Sequence, residues 1–287
     1  MRAGGRPRRP CSFSNSTIEA NTDRSRVVAR GGLRRLQAMS APRQPPADWS
    51  EGSAGQNMLA NPLLDAFEMA TAAGGDIDGV RSQLVTRYGF AVPSDEALAA
   101  IERCSPCGVV ELGAGTGYWA FLLQQRGVDV VAFDVEPAPS AQNEWFAGTP
   151  PWHPVHRGDH DVVGQHPERT LLIVWPTKNE IWAATALERY YDAGGKCVAF
   201  VGEGPGGRTG DDVFHALLGE LTTCLQCDHG STTSPCICGA EARWSLCESV
   251  ALPHWTGYHD DLHIFGRRSL GTRPRRRRSR RSQTRQP

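Results

Sequence analysis

The sequence predicts an α/β fold: a mostly parallel sheet of seven strands, helices on both faces, and an antiparallel strand at its end. Three observations predict it. Val109 to Asp134 reads as strand, glycine turn, helix and second strand. Beyond it, apolar runs alternate with helical patterns as far as DDVFHALLGEL. The chain then closes on SLCESVALP and DLHIFGRR, whose link is too short for a crossover helix, so that pair is antiparallel.

Residues 1–56 are rich in Arg, Ser, Pro and Gly without a sustained apolar period, and are expected to form a disordered extension. Pro7 and Pro10 interrupt any amphipathic leader there, and Met39 is an alternative start to Met1. A helical lead-in spans 57–107. Leu59, Leu63, Leu64, Phe67, Ile77, Val80, Leu84 and Val85 fall near helical spacing, with a break at Gly74 and Gly75. An extended piece reaches Pro93, and Ser94 then caps a short helix with Asp95 and Glu96 in its first turn.

The main domain covers 108–268. Val109 and Val110 begin its first strand, Gly113, Gly115 and Gly117 turn the chain, and Tyr118 to Gln125 give an apolar helix face ended by Gly127. After Asp134 a Pro-rich link leads to a weak strand at Val155 and then to TLLIVWP. A helix from Asn179 to Tyr191, the strand KCVAFVGEG and a helix opened by Asp211 and Asp212 follow. A Cys-rich insertion occupies 224–238, and 269–287 is expected to be a disordered Arg-rich tail.

A formal net charge of zero conceals a segregation. Residues 1–44 carry ten Arg against Glu19 and Asp23, and residues 267–287 carry ten Arg and no acid, which leaves 11 basic and 29 acidic residues between them. So acidic a domain is poorly suited to grip a polyanion through its folded surface, and non-specific nucleic-acid contact is expected only of the Arg-rich tail. No apolar run approaches the 18 or more residues of a membrane helix, so no membrane partner is expected. Nine cysteines, an odd count, with no leader of the secretory type point to the cytoplasm rather than to a secreted disulfide scaffold. Cys224, Cys227, Cys236 and Cys238 could hold a structural zinc, although CxC is not the usual ligand spacing. Cys104 and Cys107 form a CxxC without a surrounding redox pattern.

Dinucleotide sites use GxGxxG, in which a third glycine admits the helix. Here that position is the bulky Tyr118, and Glu111 stands two residues before the first glycine, giving ExGxGxG. On ELGAGTG and on Asp134 at the end of strand two, residues 108–266 resemble S-adenosylmethionine-dependent methyltransferases of class I, which have a Rossmann-like sheet. Within them the chain is similar to an uncharacterised group carrying YxxAxP, GTGYWA, a WP dipeptide and GEGxGG. The resemblance implies S-adenosylmethionine as cofactor. Glu111 would face its methionine end, Asp134 its ribose and Asp159 its adenine amine. Gly113, Gly115 and Gly117 would make room, with Tyr118 and Trp175 beside it. These residue types suit the ligand, since an ammonium, vicinal hydroxyls and an amine all seek acceptors.

Many amino-group methyltransferases carry an Asn or Asp with two prolines after strand four. VWPTKNE has one proline and no amide before Asn179, which speaks against amine methylation by that route. A hydroxyl acceptor would need a base, for which Glu203, His215 and His160 are candidates. The expected function is methyl transfer to a small-molecule acceptor. The alternative is a catalytically silent methyltransferase-like binding module whose basic tails engage nucleic acid, and a hydride-transfer enzyme is third. The glycine-rich GEGPGGRTGDD lacks the Lys-Ser/Thr ending of a phosphate loop and is expected to be a mobile loop over the site.

Overall fold

A computed structural model describes residues 60–74, 77–220 and 242–268. Three helices lead in: α1 (Pro62–Ala72), α2 (Ile77–Tyr88) and α3 (Asp95–Cys104). The remaining elements are β1 (Val109–Leu112), α4 (Tyr118–Gln125), β2 (Val130–Asp134), β3 (Val155–Arg157), a 3-10 turn (Val162–Gln165), β4 (Thr170–Val174), α5 (Trp182–Asp192), β5 (Cys197–Gly202), α6 (Asp212–Leu218), β6 (Trp244–Ala251) and β7 (Asp261–Arg267).

The seven strands form one sheet in the order β3-β2-β1-β4-β5-β7-β6. The first five run parallel, while β7 lies antiparallel between β5 and β6. The chain therefore reaches the sheet edge with β6 and folds back to insert β7, which the short link around Gly257 permits. Successive residues of the central strands feed two cores. Val109, Leu172, Ala199 and Val201 pack with α1, α3 and α4 on one face. Val110, Leu171, Ile173, Val198 and Phe200 pack with α5 and α6 on the other.

Local chemistry accounts for the element ends. Ser94 caps α3 by accepting from the Ala97 N–H at 3.2 Å, as expected, and Asn61 caps α1 by accepting from Leu64 N–H at 3.3 Å. The lead-in packs into the same core as the sheet through Leu63, Val92, Leu98 and Ile101. Helix α5 begins at Trp182 rather than Asn179, because Asn179 takes φ 61, outside helical geometry, and donates its N–H to the Gly210 carbonyl at 3.0 Å. Between β2 and β3 no helix or strand forms: Pro137, Pro139, Pro150, Pro151 and Pro154 break its two ends, and the stretch between them is held in turns by the Asn143 side chain, which donates to the Glu136 carbonyl and accepts from the Trp145 and Phe146 N–H groups. That long link instead crosses the carboxyl ends of the strands.

The Cys224–Cys238 cluster, the expected zinc ligands, and both Arg-rich tails lie outside the described residues. Among the described residues no group of three or more His, Cys, Asp or Glu could hold a metal, and no helix is long and apolar enough to cross a membrane.

Candidate cofactor and acceptor site

The carboxyl ends of β1, β2 and β4 open into a cavity of about 710 Å³, within the ~300–1,000 Å³ usual for small-molecule sites. Its floor is the glycine turn. Gly113 and Gly115 take φ 70 and 54, the left-handed region that favours glycine. Side chains there would also collide: a Cβ on Gly113 would stand 2.9 Å from the Trp182 ring, and one on Gly115 2.5 Å from the Phe146 ring.

Seven of the eight residues expected around the cofactor line this cavity: Glu111, Gly113, Gly115, Tyr118, Asp134, Asp159 and Trp175. Gly117 does not. It begins α4 in the left-handed conformation, with Val155 and His153 packed close over it, so its role is packing and helix initiation.

Glu111 is the most unusual of these groups. It sits at the end of β1, 1% exposed, and its Oε2 has no hydrogen-bond partner. Burial pushes its carboxyl up to about 8, only partly opposed by a hydrogen bond from the Ala120 N–H. Asp134, at the end of β2, is fixed by two backbone donors: Gly115 N–H reaches Oδ2 at 2.9 Å and Glu136 N–H reaches Oδ1 at 3.0 Å. Burial raises its pKa as well. A carboxylate has about four lone-pair sites, so two stay free for a ligand. Asp159 is exposed at the far end, where its Oδ1 accepts from the Asp161 N–H. Tyr118 spends its hydroxyl on the lead-in, donating to Asn61 Oδ1 at 2.8 Å and accepting from Leu63 N–H at 3.1 Å.

Two of the three expected bases lie elsewhere. Neither Glu203 nor His215 lines the cavity. The Glu203 carboxylate accepts from Arg208 N–H, Arg208 Nη1 and His259 N–H at 2.7–3.0 Å. His215 is buried with one ring nitrogen 2.7 Å from Glu220 and the other 3.0 Å from the Thr209 carbonyl oxygen. Both therefore hold the loop after β5 together, which replaces the general-base expectation with a structural one. His160 does line the cavity.

Several lining residues have no counterpart in the sequence reading. The link after β2 contributes Val135, Glu136, Asn143, Trp145 and Phe146, held by Asn143, whose side-chain oxygen accepts from the Trp145 and Phe146 N–H groups. Phe90 enters from the lead-in and Trp182 from the start of α5. The YxxAxP element could have pointed to Phe90, but no local periodicity marks the others. The loop after β4 is joined to the loop after β5 by a bridge between Thr177 and Thr209, so both form one wall.

A glycine turn between β1 and α4, an acid closing β2, and a sheet with β7 antiparallel between β5 and β6 together make the class I methyltransferase fold, Rossmann-like and as the resemblance implied. No protein-family model matches the chain, and no curated protein matches it. Among solved structures it is similar to magnesium protoporphyrin IX methyltransferase from Synechocystis with bound S-adenosylmethionine, at 13% identity and TM-score 0.37, covering 74% of this chain and 100% of that one. It is also similar to 1,6-didemethyltoxoflavin-N1-methyltransferase from Burkholderia thailandensis, at 16% identity and TM-score 0.35, covering 75% and 94%. The strand order and register carry the fold assignment.

Proposed function

We propose that the protein binds S-adenosylmethionine and transfers its methyl group to a small molecule. The observation that carries this reading is the buried Glu111 carboxylate with its unpartnered Oε2 beside the glycine turn. A charge placed there without a partner is costly, and a ligand ammonium supplies the partner. The rest of the donor set fits the same ligand. Asp134 offers two free lone pairs for vicinal hydroxyls, and Asp159 offers an acceptor at the exposed end for an amine. A phosphate or pyrophosphate would meet the Asp134 carboxylate at the floor of the cavity.

When bound, the sulfonium supplies an activated methyl group, and alignment with an acceptor supplies much of the rate. The chain's own part is to orient and to exclude water. Glu111 and Asp134 fix the two ends of the cofactor, while Trp182 and Phe146 close over the turn. Of the three expected bases, His160 is the one in the lining, next to Asp159. A concave cavity of this volume, lined by several aromatic side chains, supports a small acceptor over a macromolecule. The test is titration of S-adenosylhomocysteine into the full-length protein, followed by transfer of an isotope-labelled methyl group to metabolite fractions. Binding with transfer supports the reading, and absence of binding removes it.

A further inference from the structure

We infer that the methyl acceptor is a planar aromatic molecule without an acid group, held on a wall made by Phe90 and Trp175, and that Asp260 positions that wall. The inference rests on the methyltransferase reading and names the acceptor class that reading leaves open.

Trp175 is the first residue after β4, where an open α/β sheet presents its ligands. It takes φ 53, a conformation that bulky residues rarely adopt and that persists only where the surroundings enforce it. Here they do. Its N–H donates to the Val201 carbonyl at 2.8 Å, and its indole Nε1–H donates to Asp260 Oδ1 at 2.7 Å. Its ring stacks on Phe90 with centroids 4.8 Å apart and planes 9° from parallel. Asp260 is 0% exposed and its Oδ2 has no partner. Burying a carboxylate so incompletely satisfied is expensive, and a core-filling aliphatic at position 175 would need no such arrangement. What the arrangement provides is a rigid pair of rings, Trp175 face to face with Phe90 and tilted at 41° to Tyr258, with both members of the pair lining the cavity.

Flat rings hold flat rings through offset stacking. The mouth continues the apolar character: Val135 and Trp145 line the cavity yet are 62% and 51% exposed. Charge decides the remaining chemistry. Glu144 and Glu180 line the cavity in addition to Asp134 and Asp159, while Glu136 is paired with Arg157 and Glu111 keeps its proton in the free protein. Of the lining cations, Arg208 is committed to Glu203 and to the Gly257 carbonyl, leaving Lys178 as the other. An anionic acceptor would meet net repulsion.

Three bicyclic probes of similar shape test this: 2-naphthol, its saturated counterpart decahydro-2-naphthol, and 3-hydroxy-2-naphthoic acid. Each is titrated calorimetrically into the full-length protein, with and without saturating S-adenosylhomocysteine. The expected result is that 2-naphthol binds at least ~10-fold more tightly than the other two. Trp175→Leu should erase that preference. Asp260→Ala should weaken 2-naphthol binding several-fold, and Asp260→Asn, which keeps the Oδ1 acceptor for the indole, should restore it. Equal binding of the saturated probe, tighter binding of the acid, or an unchanged preference in Trp175→Leu overturns the inference. Should Trp175→Leu not fold, Phe90→Leu and the wild-type comparison decide. Naphthol selectivity without S-adenosylhomocysteine binding would leave the wall standing and remove the methyltransferase reading. S-adenosylhomocysteine binding without naphthol selectivity would do the reverse.

Discussion

The two ends of the cavity are built by opposite means. At the β1–β2 end, carboxylates carry the site: Glu111 is buried with an unpartnered oxygen, and Asp134 is held by two backbone N–H groups with lone pairs to spare. At the β4–β5 end the polar groups are mostly consumed by one another, Glu203 by Arg208 and His259, and His215 by Glu220 and Thr209. Aromatic rings form the surface there instead. One end is thus prepared for a polar, cationic ligand of defined shape and the other for a flat apolar one. In this cavity the unpartnered Glu111 oxygen and the spare lone pairs of Asp134 face the ligand space, while the fully paired Glu203 and His215 belong to the frame.

The sharpest way to break this contrast is at Asp134. Asp134→Ala removes two ligand hydrogen bonds to a charged acceptor, at ~1.5–3 kcal/mol each, and frees the Gly115 N–H it restrains. S-adenosylhomocysteine affinity should fall about 100-fold or more in a calorimetric titration. Gly115→Ala should come next. Its φ of 54 costs a non-glycine residue ~1–2 kcal/mol, and the new Cβ would displace the Phe146 ring. A lower thermal midpoint together with about tenfold weaker S-adenosylhomocysteine binding is expected. His215→Ala should change least at the ligand. It should lower the thermal midpoint by leaving Glu220 and the Thr209 carbonyl without their partner, and leave S-adenosylhomocysteine affinity within about twofold. A loss of affinity as large as that of Asp134→Ala would dissolve the distinction between ligand groups and frame.

The same contrast explains what the sequence disclosed. The proposed cofactor end comes from one strand–turn–helix–strand unit, so Glu111, the glycines and Asp134 stand at fixed short spacings and can be read from 26 consecutive residues. The sheet is legible for a similar reason: alternating runs fix the parallel strands, and the short link around Gly257 fixes the antiparallel end. The proposed acceptor end draws Phe90, Trp145 and Trp175 from separate loops, and no local pattern joins residues that meet only on folding. Glu203 misleads from sequence for a physical reason. An acid in a glycine-rich loop at a strand end looks free, and only the fold brings Arg208 and the His259 N–H to occupy it. The start of α5 is not legible locally because the left-handed turn at Asn179 depends on the distant Gly210 carbonyl.

The central claim is that Glu111 receives the ligand's ammonium, and the pH dependence of binding tests it most directly. In the free protein burial holds this carboxyl protonated until about pH 8, so its folded state keeps a proton that the unfolded chain releases from about pH 4.5 upward. Glu111 therefore lowers the stability of the free protein as pH rises through that window. Binding a cation requires the carboxylate, so binding expels the proton and is opposed below pH 8. S-adenosylhomocysteine should bind more than 10-fold more tightly at pH 8 than at pH 6, with proton release measurable by calorimetry in buffers of different ionisation heat. Glu111→Gln should bind weakly, with that pH dependence gone. Affinity that is flat across the range in the wild type, or equally pH-dependent in Glu111→Gln, would contradict the account.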